Sequence, residues 1–304
     1  MTHDIAKRWI GSFLGLLFVV GSRSANVLPC PPTDSTRSDL EALKTNNYEV
    51  ADDQRRNALA LSLAGCLSSP DPELRDAVAF EALSHMMRQR QLRNDTMTRL
   101  KRELEPRLRQ YDASGFIRPF AALTLSEVAR ADRLNPFLSP DARNQLLLSA
   151  ISYFAGIRDY RGFDDREGWR HGIAHGSDLL MQLSLNPRFG RQSLDRIRAA
   201  LETQIAPRGH FYIYGESDRI ASVVIALAER GVYGEADWEH WLRGASTPSP
   251  FADWKTAYSS QAGLARIHDV SAFLSRIFID SQLTSDQPVG GLRSAAEAAI
   301  RLMP

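Results

Sequence analysis

The segment GWRHGIAHGSDLL, residues 168–180, sets His171 and His175 four residues apart and adds Asp178 three residues later. Side chains at these spacings share one face of an α-helix, so the trio is suited to three kinds of chemistry. The two imidazoles can chelate one divalent metal ion from the same face. Asp178, one turn beyond His175, can accept its second ring N–H and fix the tautomer of an imidazole that then works as a base or a ligand. The trio can also close as a hydrogen-bond network inside a core, as buried polar groups usually do. One ion shared by all three is not expected, because Asp178 lies about 10.5 Å along the helix axis from His171. No Glu follows His171, so the zinc-protease signature is missing.

A second cluster, HFYIYGESDRIAS over residues 210–222, brings Tyr212 and Tyr214 before a glycine and then Glu216, Asp218 and Arg219. Acidic residues at a helix start are favoured by the free amides of the first turn, which alone would explain them. In a functional arrangement Glu216 and Asp218 face the His171 helix across a groove, with Tyr212 or Tyr214 on the rim. The segment RDYRGFDD, residues 158–165, supplies the neighbouring loop with Arg161, and Trp169 stands beside the first histidine. Nearer the C-terminus, His268, Asp269 and Arg276 share one helical run, where a single histidine is usually structural.

The element that positions the pair reads as a long helix. Asp164 followed three residues later by Glu167 forms a reciprocal capping box, and Asn186-Pro187 stops the run, which predicts a helix over 165–185. On it His171, His175, Asp178 and Gln182 fall within roughly 60° of one another, a narrow polar stripe. Ile173, Leu179, Leu180 and Leu183 take most of the remaining surface, so the helix is expected to be buried. Gly172 and Gly176 lie beside the stripe, each costing up to about 1 kcal/mol against alanine. They imply close approach of a helix or a ligand.

Around this element apolar residues recur at helical spacing almost to the end of the chain, and strand signals are nearly absent. Helices are expected to open at Ser69, Ser139 and Gly215, with further runs at 52–67, 95–110, 116–133, 191–205, 238–242, 263–280 and 292–302. The expected fold is all-α, a HEAT-like α-solenoid of about a dozen helices stacked in pairs, with a closed α/α arrangement permitted by the same helices.

The 304 residues are 43% hydrophobic and 24% charged, an ordinary globular composition, and the net charge is +1. Lys7, Arg8 and Arg23 stand against Asp4 in the first 25 residues, so the remainder is slightly acidic and carries no footprint for nucleic acid. Lys7-Arg8, the apolar run WIGSFLGLLFVV and the small residues Ser22 and Ser24 have the pattern of a secretory signal peptide. The run is short for a membrane span, which needs about 20 residues. The organisation expected is a signal peptide over 1–25, a flexible arm over 26–38 and a single helical repeat domain over 39–304, in a periplasmic or secreted protein. An uncleaved N-terminal anchor is the alternative. Cys30 and Cys66 are the only cysteines and could pair in an oxidising compartment, or Cys66 could be a plain buried thiol.

Taken together, Arg161-Gly162, the Gly168-to-Asp178 motif, Gly215-Glu216 through Arg219, and Phe273 to Arg276 resemble an uncharacterised bacterial family, domain of unknown function 2785. The resemblance spans roughly residues 125–283, and its distinctive part is the histidine-rich motif. Ser217 and Asp218 stand where the family pattern has Asp-Glu, and His268 where it has a smaller amide. The resemblance implies an all-helical fold and brings no activity with it. Because no nucleophile triad, phosphate loop or dinucleotide fingerprint occurs, the expected function is binding of a peptide or other cell-envelope ligand in a polar groove. Arg161, Trp169, His171, His175, Asp178, Tyr214, Glu216, Asp218 and Arg219 are its candidate lining. The rival is a metal-dependent hydrolase with a divalent ion on His171 and His175 and Glu216 or Asp218 as base.

Overall fold

The computed structural model describes residues 29–284 and 289–304. The segment read as a signal peptide lies outside these residues. The fold is all-α, with thirteen α-helices and one two-stranded sheet among the described residues. In chain order the helices are α1 (Arg37–Thr45), α2 (Asp53–Leu63), α3 (Glu81–Arg88), α4 (Asn94–Leu104), α5 (Ile117–Leu134) and α6 (Pro140–Ala155). Then follow α7 (Gly172–Ser184), α8 (Arg191–Glu202), α9 (Glu216–Glu229), α10 (Glu235–Ala245), α11 (Trp254–Ala257), α12 (Gln261–Leu283) and α13 (Gly290–Ile300). A π-helical stretch, Glu73–Phe80, runs directly into α3.

Local chemistry accounts for many of the boundaries. Asp52, Ser139 and Ser260 each accept a backbone N–H of the first turn at the head of α2, α6 and α12, and Pro140 takes the first position of α6, where its missing N–H is harmless. The segment read as a flexible arm is tied down in its described part: Cys30 is joined to Cys66 by a disulfide, and Thr36 caps α1.

The helices build two rows. In one row α5 packs on α7, α7 on α9, and α9 on α12, which in turn meets α13. The intervening α6 and α8 pack on each other and against the first row. One continuous core runs from Leu40 to Ala299 and fills the space between the rows. No helix among the described residues is long and apolar enough to cross a membrane.

The helix expected over 165–185 is shorter. It begins at Gly172, and residues 163–169 form instead a minimal antiparallel hairpin in which Phe163 pairs with Trp169 and Asp164 with Gly168. The Asp164 carboxylate does take the amides of Arg166 and Glu167, at 2.9 and 3.0 Å, but in a turn. Gly168 at φ +74° and His171 at φ +52° break any helical path between them. The turn is secured from elsewhere, since the fully buried Arg75 donates to the Glu167 carbonyl at 2.7 Å.

Candidate functional site

Helix α7 packs between α5 and α9, and the hairpin before it is held by residues of the Glu73–Phe80 stretch and of the segment preceding α5. Arg170 N–H donates to Gly162 O and His171 N–H to Arg161 O, which sets the ring of His171 beside the hairpin. The Arg170 guanidinium donates to Ser114 O and Glu167 and lies over Phe116, as Arg75 also does. Cations stacked on aromatic faces and bonded to carbonyls hold the hairpin in one position.

His171 stacks on Trp169 with ring centroids 4.7 Å apart, and the Tyr214 carbonyl lies near its ring. His175, one turn on, meets Phe120 edge-on at 5.1 Å, with the Pro119 carbonyl near its ring. A neutral imidazole has one N–H and one lone pair, and each ring here has a nitrogen that no protein group meets. Those nitrogens, Nε2 of His171 and Nδ1 of His175, are buried and have no protein partner. Burial, aided for His175 by the facing His171 and for both by Arg219, lowers the pKa of His171 to about 4 and of His175 to about 3. Both imidazoles are therefore neutral acceptors at any ordinary pH.

The rest of the stripe is answered by other helices. Asp178, whose carboxyl is raised by burial, is paired with Arg219 of α9 and so does not reach the His175 ring. Gln182 accepts from Arg133 of α5 at 3.1 Å. Gly172 and Gly176 turn toward α6: a Cβ on Gly176 would stand 2.8 Å from the Phe154 ring, and the Tyr153 hydroxyl donates to Gly172 O. The two glycines thus serve a tight helix contact, and the cleft lies on the other side of α7.

That cleft encloses about 270 Å³. Phe80, Phe120, Leu123 and Ala174 form its apolar walls, and Asp76 and Asp178 its acidic groups, with Trp169, His171, His175 and Arg219 completing the lining. Asp76 is bonded to Arg75, although burial raises its carboxyl. A second, wider cleft of about 590 Å³ lies on the far side of the hairpin, between Tyr160, Arg161 and Phe163 and the segment His210 to Tyr214. The partition between the two is aromatic. Tyr214 lies flat on Gly162, where a Cβ would be only 2.0 Å from its ring, and meets Trp169 edge-on at 5.7 Å, while Phe163 leans on Trp169 at 5.1 Å.

The family model described as "Protein of unknown function (DUF2785)" matches residues 107–279. The chain is a member of the DUF2785 family. No curated protein and no solved structure matches it. The DUF2785 segment carries the hairpin, both histidines, Asp178 and Arg219, while Asp76 and Phe80, which close one wall of the cleft, precede it.

The expected lining divides into groups. Trp169, His171, His175, Asp178 and Arg219 meet at one cleft, and Arg161 and Tyr214 line the other. Glu216 is buried and turns back to accept the Tyr214 amide at 2.8 Å, so it shapes the loop rather than facing α7 across the groove. Asp218 points outward to Arg276 of α12, 3.7 Å away, because positions two apart on a helix point in different directions. Among the described residues no group of three or more His, Cys, Asp or Glu is arranged to hold a metal ion. The left-handed turn at His171 stacks its ring on Trp169, and Arg219 occupies the carboxylate nearest the pair. Arg75, Asp76, Phe120 and Arg170 are the participants that the sequence reading missed. Only Arg170, lying inside the histidine motif, carried a local signal.

Proposed function

We propose that this chain is an exported helical protein that binds a hydrogen-bond-donating ligand, of the peptide or cell-envelope kind, in the cleft beside α7. One observation carries the reading: two neutral imidazoles, His175 buried and His171 half-buried, line the same cleft, and each has a buried ring nitrogen without a protein partner. A buried acceptor left without a hydrogen bond costs about 1–3 kcal/mol, a cost retained where a bound molecule meets it. The left-handed His171 supports the same reading, because non-glycine residues held there cluster at binding sites. The Cys30–Cys66 disulfide supports an oxidising compartment, in keeping with the leader pattern at the N-terminus.

His175→Phe tests it. Phenylalanine keeps the ring contact with Phe120 and removes the orphan nitrogen, so stability is expected to stay level or rise by about 1 kcal/mol in urea unfolding. A drop of about 2 kcal/mol or more would make the imidazole a structural group and refute the proposal.

A further inference from the structure

The ligand can be specified from what the two clefts lack as well as from what they hold. Their charges are already engaged: Arg219 with Asp178, Arg161 with Asp159, Arg170 with Glu167 and Asp76 with Arg75 in ion pairs, Arg158 with the Ala155 and Ile157 carbonyls, and Asp164 with the Arg166 and Glu167 amides. A charged ligand would have to break one of these pairs, so a net-neutral molecule is favoured. His171 Nε2 and His175 Nδ1 call for O–H or N–H donors. The partition calls for an apolar face, since Phe163, Trp169 and Tyr214 are 45%, 38% and 36% exposed on one ridge, with Ile213 beside them at 69%. Soluble proteins seldom leave contiguous aromatic surface open without a use for it.

A sugar ring meets all three demands. One face is a patch of C–H groups that packs on aromatic surface, and the rim is a set of hydroxyls that donate to imidazole nitrogens and bridge the remaining positions of Arg-carboxylate pairs. A cleft on each side of the ridge gives room for successive residues of a chain. An extended peptide finds less here, for among the described residues the only strand pairing is two residues long and no longer sheet edge offers a backbone ladder.

Building on the ligand-binding reading of the α7 cleft, we propose that the ligand is a neutral oligosaccharide that crosses the Phe163–Trp169–Tyr214 ridge. One sugar sits on the Trp169 side against His171 and His175, and the next sits against Phe163 and Tyr214 in the wider cleft.

The test is calorimetric titration of the purified full chain with cellotetraose, maltotetraose and the β-1,4-linked N-acetylglucosamine tetramer, each beside its monomer, and with a pool of neutral hexapeptides. At least one tetrasaccharide is expected to saturate and to bind more tightly than its monomer. Trp169→Ala and His175→Phe are each expected to weaken it about tenfold or more. Phe163→Ala should weaken the tetramer more than the monomer. If no tetrasaccharide saturates at millimolar concentration, or if binding survives Trp169→Ala unchanged, the saccharide assignment is overturned. Saturation by the peptides alone overturns it too. In each of these cases a His175→Phe protein of undiminished stability leaves the ligand-site reading standing, whereas a destabilised one removes both.

Discussion

Two kinds of buried polar cluster occur in this fold, and they differ in whether their hydrogen bonds close. At the α5–α6 connection Asp132 takes the amides of Phe137 and Leu138 and the guanidinium of Arg143, which also donates to Leu138 O. Beside α8, Gln204 donates to the carbonyls of Phe154, Ala155 and Ile157 at the end of α6 and accepts from Tyr160. In both, protein groups answer protein groups, and the clusters fix where one helix stops and the next begins. The α7 cluster is not closed in this way, because His171 Nε2 and His175 Nδ1 are buried atoms that no protein group engages. A closed network holds the scaffold, and an open one on that scaffold is available to something else.

Breaking a closed cluster should therefore cost most. Asp132→Ala leaves Arg143 buried beside unpaired amides and is expected to lower stability by about 3 kcal/mol in urea titration. Gln204→Leu should lower it by about 2 kcal/mol, since it strips the terminal carbonyls of α6 of their donor inside the core.

Acid sharpens the contrast at the open cluster. Below about pH 6.5 the unfolded chain protonates His175, while burial keeps it neutral in the fold down to about pH 3. The unfolded state then binds more protons, so stability falls as the pH is lowered through that window, by up to about 1.4 kcal/mol per unit. Asp269, whose carboxyl burial raises to about 6, acts in the opposite sense above about pH 4, because there the fold holds the extra proton. The readout is accordingly the difference between parent and His175→Phe in chemical unfolding at each pH. It should widen on acidification, and a constant difference would contradict the neutral, buried imidazole. The smallest effect belongs to Asp218→Asn. Its exposed pairing with Arg276 is worth less than about 0.5 kcal/mol, and the substitution should leave the cleft untouched in ligand titration.

Much of this architecture was legible in the residues. The runs at 116–133, 139–157 and 215–231 correspond to α5, α6 and α9, because Ser139 and Pro140 act within one turn and apolar periodicity reports burial directly. The histidine motif was legible as a polar stripe in an apolar run, and its family with it. The capping-box reading of Asp164 and Glu167 was not sufficient, since the same Asx chemistry serves a hairpin turn and a helix start. What separated them was the anchoring of Glu167 O by Arg75, a residue 92 positions away.

The chain alone, then, determined that the protein is helical, that α7 is buried and that its buried surface carries imidazoles, because these follow from the order and spacing of side chains. Only the tertiary structure decided which groups those imidazoles meet. It gave Asp178 to Arg219 and Asp218 to the outside, placed Asp76 and Phe120 with His175 around one cleft, and left one nitrogen of each imidazole without a partner. Hydrogen bonds and ion pairs between helices depend on directions in space that no local pattern encodes, and a site made of what is left unpaired is visible only after every other pairing has been made.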